Sequence, residues 1–287
     1  MTQENHLNML GNKPRRSIFD EHLHEEINRL AEEELRRERL EEKLRGKAEK
    51  PNKLTPQTLD NKYSFLEGQL AEQVHDWITS NYQIPYIENI NYDSKEKIIK
   101  GSNPFYVTAV NDYFRKNNLE IRTASQAELE QILKSNSLEL EKHYEDTSLV
   151  LRSEDEPNKY LAEHLARQVK KRQELNYPLM IPLKGLTLIK DSSSPYKYSF
   201  GLIDETEIIH SDKLKLENNN KKFIRTDEHG LPVFDEKGQR TFYTRKSGLS
   251  RVYLFSALGL CSDNGDLVVS DSGGRVVLVS PEGDKKI

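Results

Sequence analysis

Between Arg251 and Pro281 the chain reads RVYLFSALGLCSDNGDLVVSDSGGRVVLVSP, and no other stretch narrows its folding so far. Three apolar runs, VYLF, LVV and VVLV, are separated by Asp263-Asn264-Gly265-Asp266 and by Asp271-Ser272-Gly273-Gly274. Asn-Gly and Gly-Gly supply the positive φ that two-residue hairpin turns require, and the β-branched runs supply strands. The pattern predicts an antiparallel meander. Val277 and Val279 alternate with Leu278, so at least one face of the last strand is buried.

Upstream the composition changes. The segment Ser17–Gly46, SIFDEHLHEEINRLAEEELRRERLEEKLRG, has a serine able to cap and acidic residues early. Arginines and lysines collect late, and Glu25–Arg29, Glu32–Arg36, Glu33–Arg37 and Glu41–Arg45 are i,i+4 pairs. This predicts a charged N-terminal helix. Phe19, Leu23, Ile27 and Leu30 form a stripe, but Leu35, Leu40 and Leu44 break the heptad, so a coiled coil is confined to the first half. Residues 1–16 lack periodicity and are expected to be mobile, and Pro51 and Pro56 mark a linker over 46–58.

Leu66, Leu70, Val74 and Ile78 predict an amphipathic helix over 65–82, and Asn103-Pro104 opens a second. LEIRT (119–123) and TSLVLR (147–152) read as strands. Ser125 with Glu128 is a capping box, and Pro157 is expected in the first turn of a helix whose Leu161, Leu165 and Val169 face inward. After Tyr177 helical periodicity vanishes, and PLMIPLKGLTLIKD, YKYSFGLID, TEIIHS and TFYTRK read as strands. The fold class expected is α+β: a mobile N-terminus, charged helix and linker over 1–58, a small mixed helix/strand domain over 60–175, and a C-terminal antiparallel β domain over 177–287, barrel or sandwich.

Two stretches, YEDTSLVLRSEDEPNKYLAEHLARQVKKR and the run from RTFYTRKSGLSRVYL through LGLCSDNGDLVVSDSGGRVVLVS, resemble a family of hypothetical proteins of archaeal type without an assigned activity. The resemblance covers about residues 100–280. It implies that the two folded regions belong together and that the N-terminal helix is an addition, and it transfers no site residue.

A net charge of −4 gives no global case for nucleic acid or an anionic membrane. The single Cys261 excludes an internal disulfide framework, and no apolar run approaches the length that spans a bilayer. With no secretory signal pattern, the expected setting is soluble and cytoplasmic. P-loop, dinucleotide, HExxH, GxSxG and paired CxxC signatures are missing, which weighs against common enzyme classes and leaves catalysis in general open.

Each group with chemical potential has a bland reading beside it. Cys261, among apolar neighbours, reads as an inert thiol before a nucleophile. Asp263, Asp266 and Asp271 suit calcium, yet Asp in such turns first serves the turn. Glu154-Asp155-Glu156 resembles an acidic metal loop, yet acids before a helix suit its dipole. Asp204, Glu205 and Glu207 could do acid/base work or sit on an exposed edge, and His143, His164, His210 and His229 lack ligand spacing. Lys170-Lys171-Arg172 suits a helix end, and TASQAELEQIL lacks the arginine of a recognition helix.

The best-patterned set is Tyr243, Arg245, Lys246, Arg251 and Tyr253, cations with aromatics on a strand–turn–strand, where bases could stack and phosphates pair. The reading taken forward is a non-catalytic interaction or scaffold protein with a protein partner and no cofactor, metal or membrane. The alternatives are a nucleic-acid-binding protein using that β surface, and a hydrolase.

Overall fold

The computed structural model describes residues 62–83, 89–255 and 259–281. The charged helix, its coiled-coil stripe and the linker expected over 46–58 lie outside the described residues. Mixed α+β architecture is what the described chain shows.

Strand β1 (Tyr63–Phe65) leads into α1 (Gly68–Asn81), where Leu70, Val74 and Ile78 are buried at the spacing that predicted the helix. A hairpin follows, β2 (Asn91–Asp93) and β3 (Ile98–Lys100). Its turn is held by Asp93 Oδ1, which accepts the N–H of Lys95 and of Glu96.

Helix α2 (Pro104–Lys116) is capped by Asn103, whose Oδ1 accepts the Tyr106 N–H at 2.9 Å. Every residue from Pro104 to Phe114 is buried. A helix enclosed on all sides needs partners for its polar side chains. Asn111 therefore donates to Thr123 Oγ1 and accepts the Thr123 N–H, which docks β4 (Arg122–Thr123). Asp112 accepts from Thr187 Oγ1, from the Leu188 N–H and from the Tyr82 hydroxyl, which docks β7 (Leu186–Lys190).

The Ser125–Glu128 capping box opens α3 (Gln126–Ser135) as the sequence predicts. Strand β5 (Tyr144–Leu151) precedes α4 (Lys159–Lys170), which buries Leu161, Leu165 and Val169. Pro157 stays outside α4, joined to Glu156 by a cis bond, and Asn158 takes the N-cap position at φ 62°.

The remaining strands are β6 (Leu179–Pro182), β8 (Tyr198–Leu202), β9 (Ile209–His210), β10 (Lys222–Thr226), β11 (Pro232–Phe234), β12 (Arg240–Tyr243), β13 (Leu249–Leu254), β14 (Leu260–Cys261), β15 (Gly274–Arg275) and β16 (Val277–Val279). The main sheet runs β11-β10-β12-β14-β13-β5-β6-β9, with β15 beside the start of β5. It curls into a half-barrel, so that Val150, Met180, Ile209, Phe223, Phe242, Val252 and Leu260, one from each of seven strands, meet in one cluster with Leu214 and Leu231.

Two pairings, β12 with β14 and β15 with β5, are parallel, so the sheet is not the wholly antiparallel one expected. The β13–β14 hairpin folds back between β13 and β12, which sets β14 parallel to β12. Pro56–Ile287 forms one compact unit. The division expected between 60–175 and 177–287 does not divide the sheet, because β5 lies between β13 and β6.

The meander is overturned. Strand β16 leaves the main sheet and sits between β1 and β4, where Val277 and Val279 join Ala124, Leu129, Ile132, Leu140 and Leu254. LVV (267–269) is not a strand at all. Its amides are taken by side chains: Asp266 Oδ1 accepts the N–H of Val268 and of Val269, and Asn264 Oδ1 accepts that of Asp266. The loop glycines serve close approach. A Cβ on Gly274 would lie 2.4 Å from the Ser102 nitrogen, and one on Gly265 would lie 2.5 Å from Pro157 Cγ.

Candidate functional site

Asn158, at the start of α4, ties together three parts of the chain that are remote in sequence. Its Nδ2 donates to Leu249 O (2.8 Å) and Gly265 O (2.6 Å), and its Oδ1 accepts from the Tyr196 hydroxyl (2.6 Å). Around it opens a cleft of about 580 Å³, walled by the chain from Glu156 to Leu161, by Pro195 and Tyr196, and by Gly265, Asp266 and Val268. The walls are braced from behind. The Tyr196 ring packs on Phe105 with centroids 5.3 Å apart, and the Tyr160 hydroxyl donates to the Asp191 carboxylate. No side chain caps α4. The amides of a first helical turn have no intrahelical partner and carry the positive end of the helix dipole.

The five residues picked from the sequence do not share one surface. Lys246 is exposed. Arg245 reaches the edge of the cleft, where its Nη1 would lie 2.5 Å from a Cβ on Gly265, and it donates to the carbonyls of Ser247 and Asp263. Arg251 is inside, 3% exposed, with its guanidinium between the rings of Tyr144 (5.4 Å) and Tyr253 (4.6 Å). It donates to Val269 O at 2.8 Å and lies 3.4 Å from Asp146 Oδ1. A phosphate cannot reach it. Tyr243 and Tyr253 do come into one row, each in register with Cys261 of the strand between them.

The other candidates are absorbed into structure. Cys261 Sγ donates to Asp263 Oδ1 at 2.8 Å. Burial, with that hydrogen bond, pushes the thiol up to about 11. Its thiolate fraction at pH 8 is then on the order of 100-fold below that of an ordinary cysteine. Iodoacetamide is expected to alkylate the native protein at least about 100-fold more slowly than the urea-unfolded chain. Rates within tenfold of each other would show an accessible, reactive thiol.

Glu154 pairs with Lys170 (2.8 Å) and accepts from the Tyr177 hydroxyl (3.0 Å). Asp266 and Asp271 accept from loop amides. Arg172, at the end of α4, donates to Leu202 O and Ile203 O. The four histidines lie apart: His143 against Phe65, His164 beside Gln168, His210 beside the Asn176 carbonyl, and His229 3.3 Å from Glu207. Among the described residues no three of His, Cys, Asp and Glu converge to hold a metal.

Sequence reasoning missed two buried groups. Arg152 donates from Nε to Leu214 O, from Nη1 to Ser250 Oγ, and from Nη2 to Thr244 Oγ1 and Ser262 Oγ. Burial first, then the charge of Arg245, pull its pKa down to about 9 against the opposing charge of Asp263. Glu145 and Asp146, buried side by side at the start of β5, are the other. An arginine ending an apolar run and an adjacent acid pair were the available signals. No family model, curated protein or solved structure matches the chain.

Proposed function

We propose that the Pro56–Ile287 unit is a non-catalytic interaction module that holds an extended segment of a protein partner in the cleft at the start of α4. One observation carries the reading: three remote segments are bound through Asn158 into a braced cleft of about 580 Å³, within the usual size range of ligand sites. An extended backbone presents both N–H and C=O groups. The first turn of α4 offers donors, and Glu156 and Asp266 offer acceptors. Pro157, Pro195, Val268 and the two tyrosines supply the apolar and amphipathic surface that recognition sites favour. A cytoplasmic setting belongs to this reading, since a lone buried thiol suits a reducing compartment. No helix among the described residues is long and apolar enough to cross a membrane.

Selection from a displayed library of random peptides is expected to yield binders whose amide shift changes cluster at 156–161, 195–196 and 265–268. Val268→Glu and Lys159→Glu, both at the cleft wall, are expected to weaken them at least tenfold without changing the melting temperature. Binders that ignore both substitutions would place recognition elsewhere.

A nucleic-acid partner is the second reading, favoured by Tyr160, Tyr196 and Lys159 in the same cleft with Arg245 at its edge. Filter retention of single-stranded RNA or DNA at low salt, lost in Arg245→Ala/Lys246→Ala, would replace the peptide with an oligonucleotide. No retention by the wild-type protein removes that reading.

A further inference from the structure

Strand β5 begins Tyr144-Glu145-Asp146, and both carboxylates are buried. Asp146 is better provided for: Oδ2 accepts from Ser102 Oγ at 2.8 Å, and Oδ1, which makes no hydrogen bond, lies 3.4 Å from the charged Arg251 Nε, although burial raises this carboxyl too. Glu145 is not. It is 2% exposed, and neither Oε1 nor Oε2 has a hydrogen-bond partner. Opposite it in the parallel register stands Arg275 of β15. The Arg275 Nε is also buried and unpartnered, while its Nη1 donates to Ser272 O and Gly274 O, each at 2.7 Å. A buried carboxylate thus lies beside a guanidinium that spends its Nη1 donors on the turn leading into β15 and leaves Nε over.

We infer that Glu145 is a proton-gated partner of Arg275. With a proton, Glu145 is neutral and leaves Arg275 to clamp the 271–275 turn through the carbonyls of Ser272 and Gly274. Without it, the carboxylate draws the guanidinium away, the two carbonyls lose their donor, and the turn loosens. An unpaired buried charge is costly enough to drive such an exchange.

The surroundings favour the proton at neutral pH. Burial first, then the charge of Asp146, push Glu145 up to about 8 against the opposing pull of Arg275. Around the pair stand Arg251 from β13, which serves Asp146, Glu96 from the β2–β3 turn and His143 from the segment before β5, both acting on Arg275 or sensing it. The void beside Glu145 is lined from α2, β4, α3 and β16 by Val107, Thr123, Ala124, Leu129 and Val277, with Val276 between β15 and β16. These bring no charge. Glu130 of α3 is held by Arg240.

A folded-state value raised above the unfolded one gives stability that is full below the unfolded value and lost as pH rises through the folded one. That stability declines from the ordinary carboxylate range upward, while the folded chain itself keeps the proton until about 8, so the turn is tight at neutral pH and loosens above that value.

Hydrogen exchange followed by mass spectrometry between pH 7 and 9 reads the turn directly on the ligand-free chain. After correction for the base-catalysed intrinsic rate, residues 270–276 are expected to lose at least tenfold in protection. Glu145→Gln is expected to keep that protection at both pH values. Unchanged protection in the wild type, or the same loss in Glu145→Gln, overturns the assignment. If the variant does not fold, NMR of the wild type decides: a midpoint near 8 shared by the Glu145 side-chain carboxyl carbon and the amides of 271–275 supports the gate, and an ordinary carboxylate midpoint, or turn amides that do not follow the carboxyl, removes it.

Discussion

Replacing Arg240 by leucine is expected to lower the unfolding free energy by about 3–5 kcal/mol, the range for stranding one member of a buried pair. Arg240 meets Glu130 in a two-pronged contact, Nη1 to Oε2 at 2.6 Å and Nη2 to Oε1 at 2.7 Å, which joins α3 to β12. The Glu130 side chain is only 4% exposed and also accepts from Gln126 Nε2. The guanidinium lies 4.5 Å over the Phe223 ring, so its loss opens space above the main cluster as well. Removing both charges together is a different experiment. Glu130→Leu/Arg240→Leu is expected to regain most of the loss, because apolar replacement of a buried pair is often close to neutral. Urea unfolding of the two single variants and the double variant checks this. A double variant no more stable than Arg240→Leu alone would mean that the stranded carboxylate is not the source of the loss.

Val277→Asp is the second large effect, expected to exceed about 4 kcal/mol and to leave little folded protein at 37 °C. Val277 is 3% exposed, stands opposite Phe65 in the register of β1 and β16, and packs in the cluster with Leu129, Ile132 and Leu254. Its carbonyl accepts the Ala124 N–H, so the strand cannot rotate the new carboxylate outward without breaking that bond. The buried members of that cluster are apolar and offer it no hydrogen bond from a side chain. Circular dichroism melting at pH 7 is the measurement. A melting temperature equal to that of wild type would place position 277 at the surface and overturn the assignment of β16.

Local features were legible where neighbours in sequence decide the outcome. The stripe of Leu70, Val74 and Ile78, the Asn103 cap and the Ser125–Glu128 box each close within one or two helical turns. Strand β16 was legible as buried, but its partners were not, since Tyr63 and Arg122 lie far back in the chain. LVV carries strand propensity that the carboxylate of Asp266 overrides by taking two of its amides. Arg251 shows the same limit at the candidate site. Alternation along a strand gives its side, but not that Asp146 and two tyrosines wait there to enclose it. Asn158 was missed altogether, because an asparagine before a helix reads as a turn residue, and its partners at Tyr196, Leu249 and Gly265 are visible only once the chain is folded.

The placing of β16 between β1 and β4 also sets a timetable for synthesis. A chain leaves the ribosome amino end first, at roughly 5–20 residues per second. Tyr63 therefore waits on the order of 10–40 s for Val279 to be made, at that rate. Strand β5 likewise waits for β13. During that interval the edges of β1, β4 and β5 are open, the condition under which nascent strands pair wrongly or with other chains. A chain ending at residue 276 would lack the strand that closes the smaller sheet, and would meet chaperones and proteases with those edges still exposed.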